Sequence, residues 1–248
     1  NTIYGPLLII AGAGTGKTKT IVCRTANLIE HGILPQQIVM LTFTNKAAKE
    51  MKERVADMLG AEKANGVTAC TFHSFCVLML RRYGSRIGMD PNFTILASGD
   101  DEDIIKIVKD TDNQRFSGKG FPNATQITKY ISASVNKSKP LAEIMKGTKH
   151  ESYADDVADI AVKAAEYKTA NNMMNYDDLL VKMNQLLREH PDTTKYIAHL
   201  YPFIMVDEYQ DTNAVQVSIV QLLSEGHQRV CVVGDDDQSI YKFRGATI

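Results

Sequence analysis

Short, nearly continuous apolar runs punctuate this chain at residues 7–10, 38–41, 67–70, 203–206 and 230–233. Runs of four residues, apolar except at Thr68 and without alternation, fit strands buried on both faces of a parallel sheet. Helical patterns separate the first three runs. Residues 19–29 predict one helix. Residues 46–59 predict a second, with Ala47, Ala48, Met51, Val55 and Met58 at helical spacing and Glu50 four residues before Arg54. Residues 75–83 predict a third. Strand and helix in alternation predict a doubly wound α/β domain with a parallel sheet.

The alternation stops near residue 91. From there to residue 169 only residues 93–96 look extended. Residues 104–109, 126–134 and 153–168 predict helices, the last with Val157, Ile160, Ala161, Ala164 and Ala165 on one face. Ser117-Gly118-Lys119-Gly120 and Lys137-Ser138-Lys139-Pro140 read as loops. An amphipathic helix at 176–188 then precedes the last two strands. The expected organisation is an α/β domain in two parts, 1–90 and 171–248, with an all-helical insert at 91–170.

Composition narrows the class. The 248 residues are 44% hydrophobic and 23% charged, ordinary for a globular chain of one large or two modest domains. No apolar run approaches the ~20 residues of a membrane span. Asn1 to Pro6 lacks the character of a secretion signal. The first strand lies close to residue 1, and no closing element follows the last, so a piece of something larger is expected. Cys23, Cys70, Cys76 and Cys231 show no metal or redox spacing and read as buried thiols in a reducing cytoplasm. Net charge is −1, but residues 104–150 hold nine Lys/Arg against three acids, an excess of six. That local excess fits either a phosphate-binding surface or a solvated helical face.

In a doubly wound sheet, ligands bind beyond the carboxyl ends of the strands. Each predicted strand here is followed by polar, chemically pointed residues. After the first come Ala11, Gly12, Ala13, Gly14, Thr15, Gly16, Lys17 and Thr18. Strand, glycine-rich turn, Gly-Lys-Thr and helix form the phosphate-binding loop of nucleoside-triphosphate enzymes. Backbone N–H groups and the helix N-terminus hold phosphate, Lys17 charges the β and γ positions, and Thr18 offers a hydroxyl to Mg²⁺. After the fourth come Asp207 and Glu208, an expected Mg²⁺ ligand and an expected base for the attacking water. The bland alternative is an Asp-Glu pair capping the helix from Asn213.

The fifth strand leads to Gln238, which can bond the γ-phosphate or the water, and to Tyr241, Phe243 and Arg244. Tyr241 and Phe243 suit either base stacking, at ~1–3 kcal/mol per base, or the core at a strand start. The second strand leads to Phe43, Thr44 and Asn45. Thr44 or Asn45 can cap the next helix, whose N–H groups can hold a backbone phosphate, and Phe43 can face a base. The third leads to His73, which reads as a nucleic-acid contact or, on chemistry alone, more readily as a structural residue.

Together the segments GPLLIIAGAGTGKT, LTFTNKAAKEMKERV, TFHSFC, NYDDLL, IMVDEYQDTN and VVGDDDQSIYKFRGA resemble the UvrD/Rep/PcrA family of superfamily 1 DNA helicases. The resemblance implies a RecA-like fold with a helical insert. It also implies an ATP-driven motor that moves 3′→5′ on single-stranded DNA and unwinds duplexes. Carried over residue by residue, Lys17 and Thr18 serve phosphate and Mg²⁺, Asp207 Mg²⁺, Glu208 the water and Gln238 the γ-phosphate. Phe43, Thr44, Asn45, His73, Tyr176, Tyr241, Phe243 and Arg244 fall at DNA-contact positions. Lys19 stands where relatives often carry arginine near the nucleotide, Phe243 where tryptophan is usual, and Tyr176 where phenylalanine is common. Ala11 matches the family's usual alanine.

The family's adenine-reading glutamine has no counterpart before Gly5. Its second RecA-like motor domain, with arginines that complete the ATP site, is expected beyond Ile248. Implied partners are ATP, Mg²⁺, single-stranded DNA, single-strand/duplex junctions and that second domain, with no membrane. Competing readings are the motor of a helicase–nuclease, a non-catalytic DNA-binding scaffold of the same fold, and a nucleotide kinase.

Overall fold

The computed structural model describes residues 3–12, 15–97 and 99–235. Five parallel strands form the central sheet: β1 (Leu7–Ile10), β2 (Ile38–Thr42), β3 (Thr68–Thr71), β6 (Phe203–Val206) and β7 (Val230–Gly234), in the order β1-β7-β6-β2-β3. Every strand is parallel to its neighbours, so all carboxyl ends lie along one edge.

Although β1, β2, β6 and β7 are apolar almost throughout, their residues sort by a period of two between two cores. Ile38, Met40, Phe203, Met205, Cys231 and Val233 pack with Ile21, Val22 and Leu28 of α1 (Lys17–Glu30), with Met51 and Val55 of α2 (Asn45–Leu59) and with Ala64 of the short α3 (Ala61–Ala64). Val39, Leu41, Ile204 and Val206 pack on the opposite face. Their partners are α4 (Phe72–Tyr83), α9 (Tyr176–Glu189), α10 (Pro191–Leu200) and α11 (Ala214–Ser224). Helices on both faces explain why no strand alternates polar with apolar.

The helices α5 (Asp100–Thr111), α6 (Ala124–Lys137), α7 (Leu141–Met145) and α8 (Ala154–Ala170) share a third core around Ile105, Phe116, Ile127, Met145, Val157 and Ile160. A two-stranded parallel ribbon stands at the root of this group, with β4 (Thr94–Ile95) paired to β5 (Met173–Met174). The sequence pattern flags only the first of these strands, because a two-residue strand carries no period.

Element ends depart from expectation where caps decide them. Helix α4 begins at Phe72, not residue 75, because Thr71 Oγ1 accepts a bond from the Ser74 N–H at 3.1 Å. At α2 the cap is Thr44, which accepts from the Ala47 N–H at 3.1 Å, and Asn45 is the first helical residue. Helix α10, opened by Pro191 at its first position, has no counterpart in the sequence reading.

The basic excess of the helical group also needs correction. Over 91–170 there are eleven Lys/Arg against twelve Asp/Glu. Four of the acids, Asp100, Asp101, Glu102 and Asp103, crowd the first turn of α5, where the helix dipole favours them. Several of the bases are paired, Arg115 with Asp156 and Asp159 and Lys139 with Glu143. What remains is a local cluster of exposed lysines, including Lys137, Lys146 and Lys149, near the α6 and α7 ends.

Candidate nucleotide site and the adjoining cleft

The loop after β1 reaches α1 through Gly16, which sits at φ +93, a left-handed conformation open to glycine without strain. Thr15 turns back on Gly12, its N–H and Oγ1 both donating to the Gly12 carbonyl. The Ala11 N–H donates to the Gly234 carbonyl at 3.0 Å, which ties the loop to the end of β7. The first turn of α1 carries no acidic residue, so the positive helix end is left for an anion. Lys17 is the first residue of that helix and is 7% exposed. Lys19 lies on the exposed side of the same turn. Ala13 and Gly14 lie outside the described residues.

Lys17 Nζ lies 3.6 Å from Glu208 Oε2 and 3.5 Å from Asp235 Oδ2. Thr18 Oγ1 donates to Asp207 Oδ2 at 3.2 Å. Asp207 is anchored at the end of β6, where its N–H donates to the Leu41 carbonyl at 2.9 Å. Burial, and then the neighbouring Glu208 charge, push the Asp207 carboxyl above the usual carboxylate range. The Thr18 hydroxyl, the Glu208 N–H and Lys17 pull it partly back. A buried carboxylate beside a hydroxyl suits a hard divalent cation. Glu208 takes a left-handed backbone, φ +51, uncommon for a residue with a side chain. The alternative of a helix cap falls away, since Asn213 caps α11 itself.

Along the same edge, Phe43 follows β2, His73 lies in the first turn of α4, and Tyr176 opens α9. The Phe43 ring stands 6.3 Å from Phe72, and the His73 ring meets Tyr176 edge-on at 5.2 Å. Tyr176 is 55% exposed. These residues border a cleft of about 650 Å³ between the sheet edge and helices α5, α6 and α8. Thr44 and Asn45 are exposed at the start of α2. Gln238, Tyr241, Phe243 and Arg244 lie outside the described residues.

A network of polar side chains crosses the floor of the cleft. Asn213 donates to Asn136 Oδ1 at 2.5 Å, and Asn136 donates to the Ser132 carbonyl and to Asp177 Oδ1. Lys168 donates to Asp178 at 2.5 Å, and Asn175 donates to Asp101. Burial raises the carboxyls of both Asp101 and Asp177. The cysteines are free, and burial pushes the Cys70 thiol up to about 11, which suits inert packing.

The sequence reading did not single out Gln210, Asp235, Asn136 or Asn213. Gln210, Asp235 and Asn213 lie within flagged segments, where the neighbouring chemistry of Glu208 drew the attention. Asn136 and Asn213 are 77 positions apart, and no local pattern joins them. Among the described residues, no cluster of three His, Cys, Asp or Glu side chains could hold a metal, and no helix is long and apolar enough to cross a membrane.

Comparison with known proteins places the chain in a family. An ATP-dependent DNA helicase PcrA of Staphylococcus epidermidis is 41% identical over 251 residues, covering 100% of this chain and 33% of that protein. One from Staphylococcus aureus is 39% identical over the same span. The chain thus spans about a third of the length of the curated relatives it matches. Residues 1–248 match the UvrD/REP helicase N-terminal domain. This chain belongs to the UvrD/REP helicase N-terminal domain family.

Proposed function

We propose that this chain is the first motor portion of an ATP-dependent DNA helicase. It would work with a second RecA-like domain to move 3′→5′ on single-stranded DNA and open duplexes at single-strand/duplex junctions in the cytoplasm. Residues 1–90 and 171–248 form the nucleotide-binding domain in this reading, and 91–170 an inserted subdomain. The observation that carries it is the convergence of Lys17, Thr18, Asp207 and Glu208, from two distant segments, on one end of the sheet.

ATP supplies the phosphoryl group that is cleaved, and Mg²⁺ supplies charge to neutralise it. Residues 11–16 and the α1 N-terminus hold the phosphates, with Lys17 exchanging its carboxylate partners for phosphate oxygens. Thr18 and Asp207 would hold Mg²⁺, Lys19 lies near the nucleotide, and Glu208 orients the attacking water and takes its proton. Gln238 would read the γ-phosphate. Phe43, Thr44, Asn45, His73, Tyr176, Tyr241, Phe243 and Arg244 would line the single-strand track, where stacking tolerates any base sequence. Because the strand ends share one edge, a change at the phosphates reaches the track over a short distance.

The test is Glu208→Gln in a protein that carries both motor domains. DNA-stimulated ATP hydrolysis and unwinding should be lost while a fluorescent ATP analogue still binds. Intact turnover would refute the reading. The 248 residues alone should hydrolyse ATP poorly and unwind nothing.

A further inference from the structure

We infer that Gln210 is a positioning residue that clamps Glu208 to the backbone at the exit of β7. The inference rests on the reading of Glu208 as the residue that activates water. The Gln210 carboxamide is bonded at both ends. Its Nε2 donates to Glu208 Oε2 at 2.6 Å, and its Oε1 accepts the Asp235 N–H at 2.9 Å. Gln210 is 4% exposed, whereas the Glu208 side chain is 36% exposed. A half-open side chain thus takes its aim from a buried one.

The fit at the far end is close. A Cβ on Gly234 would stand 2.8 Å from Gln210 Oε1 and 3.3 Å from the Gln210 backbone nitrogen. Gly234 is not at positive φ, so its requirement is space for this side chain. The short 3₁₀ turn at Tyr209–Asp211, entered through left-handed Glu208, carries the Gln210 side chain back toward Glu208.

The chemistry selects glutamine. The clamp needs a donor and an acceptor on one planar group at this reach. Glutamate would set two carboxylates against each other, leucine offers neither bond, and asparagine is one methylene short. Lys17 and Gln210 share the same oxygen, Glu208 Oε2. When phosphate draws Lys17 away, the bond from Gln210 does not depend on it and keeps the carboxylate aimed. Through Asp235 the same side chain grips the start of the segment that leads to Gln238.

The test uses the protein with both motor domains at saturating DNA. Gln210→Leu removes both bonds. Gln210→Glu keeps the length and the acceptor for Asp235 but loses the donor. Both variants should lower kcat for ATP roughly 10- to 100-fold, the scale of a misaligned reacting group. The KM and the affinity for a fluorescent ATP analogue should stay near wild type even where Gln210→Leu, by removing the bond to the buried Asp235 N–H, lowers the thermal midpoint; a merely structural role would move affinity along with stability. In a Glu208→Gln background, adding Gln210→Leu should cost less than about threefold more, because the two act as one unit. Turnover within about twofold of wild type, additive losses, or a loss carried by KM would overturn the role of Gln210 while leaving Glu208 as the base. If Glu208→Gln itself left turnover intact, both readings would fall.

Discussion

Thr18 Oγ1 and Asp207 Oδ2 meet at 3.2 Å across 189 positions of sequence. The hydroxyl stands in the first turn of α1 and the carboxylate at the end of β6, two strands away from β1 in the sheet. Sheet order and the packing of α1 on the sheet bring them together. Asp207→Ala should therefore abolish the gain in nucleotide affinity on adding Mg²⁺ and leave Mg²⁺-free affinity nearly unchanged. Fluorescence titrations with Mg²⁺ and with a chelator check this. An undiminished Mg²⁺ effect would remove Asp207 from the metal site.

Asn136 links the helical group to the sheet domain through Asn213, directly after the Asp-Glu segment. Asn136→Ala strips partners from Asn213 and Asp177 inside that polar network. Leaving buried polar groups unsatisfied costs about 1–3 kcal/mol. A matching fall in unfolding free energy is expected, with faster amide exchange confined to α6 and the start of α11. Exchange unchanged in both would show that this contact does not join the two parts.

Asp177 gives that junction a pH dependence. Burial holds its carboxyl above the usual range against the bonds from Ser132 and Asn136. Asp178 adds to the rise, and Lys168 opposes it. A raised folded-state value favours folding fully below the ordinary value of about 3.9. That contribution is lost as pH rises through the raised value. At neutral pH the ionised Asp177 is thus a cost. Asp177→Asn keeps the acceptor for Asn136 and should raise the thermal midpoint at pH 7, with the gain vanishing near pH 4. A gain that grew on acidification would contradict the sign.

Under the proposed function, the exposed lysines near the α6 and α7 ends would meet duplex DNA ahead of the single-strand track. Replacing Lys137, Lys139, Lys146 and Lys149 with alanine should weaken duplex affinity and reduce the salt slope by up to about 0.9 per lost phosphate contact. Lys139 is paired with Glu143, so its share should be the smallest. The near balance of charge over 91–170 makes this a question of placement, and an unchanged slope would retire it.

Local patterns revealed much of this protein. Strands β1, β2, β6 and β7 lie within a residue of their expected places because each is a solid apolar run. The loop through Lys17 and Thr18 and the pair Asp207 and Glu208 stand at the strand ends where the pattern of apolar runs puts them. The strand Met173–Met174 was not legible, since two residues carry no period, and neither was helix α10.

The amino-acid sequence by itself determined where most strands and helices fall, where the glycine-rich turn falls, and which chemically pointed residues follow each strand. Those properties are local, written in spacing and backbone preference over a few residues. Only the tertiary structure decided that Thr18 faces Asp207, that Lys17 lies between Glu208 and Asp235, that Gln210 bridges Glu208 to β7, and that Asn213 meets Asn136. These pairings depend on strand order and on the packing of two cores, which bring distant segments within bonding reach by burying apolar surface rather than by any local rule.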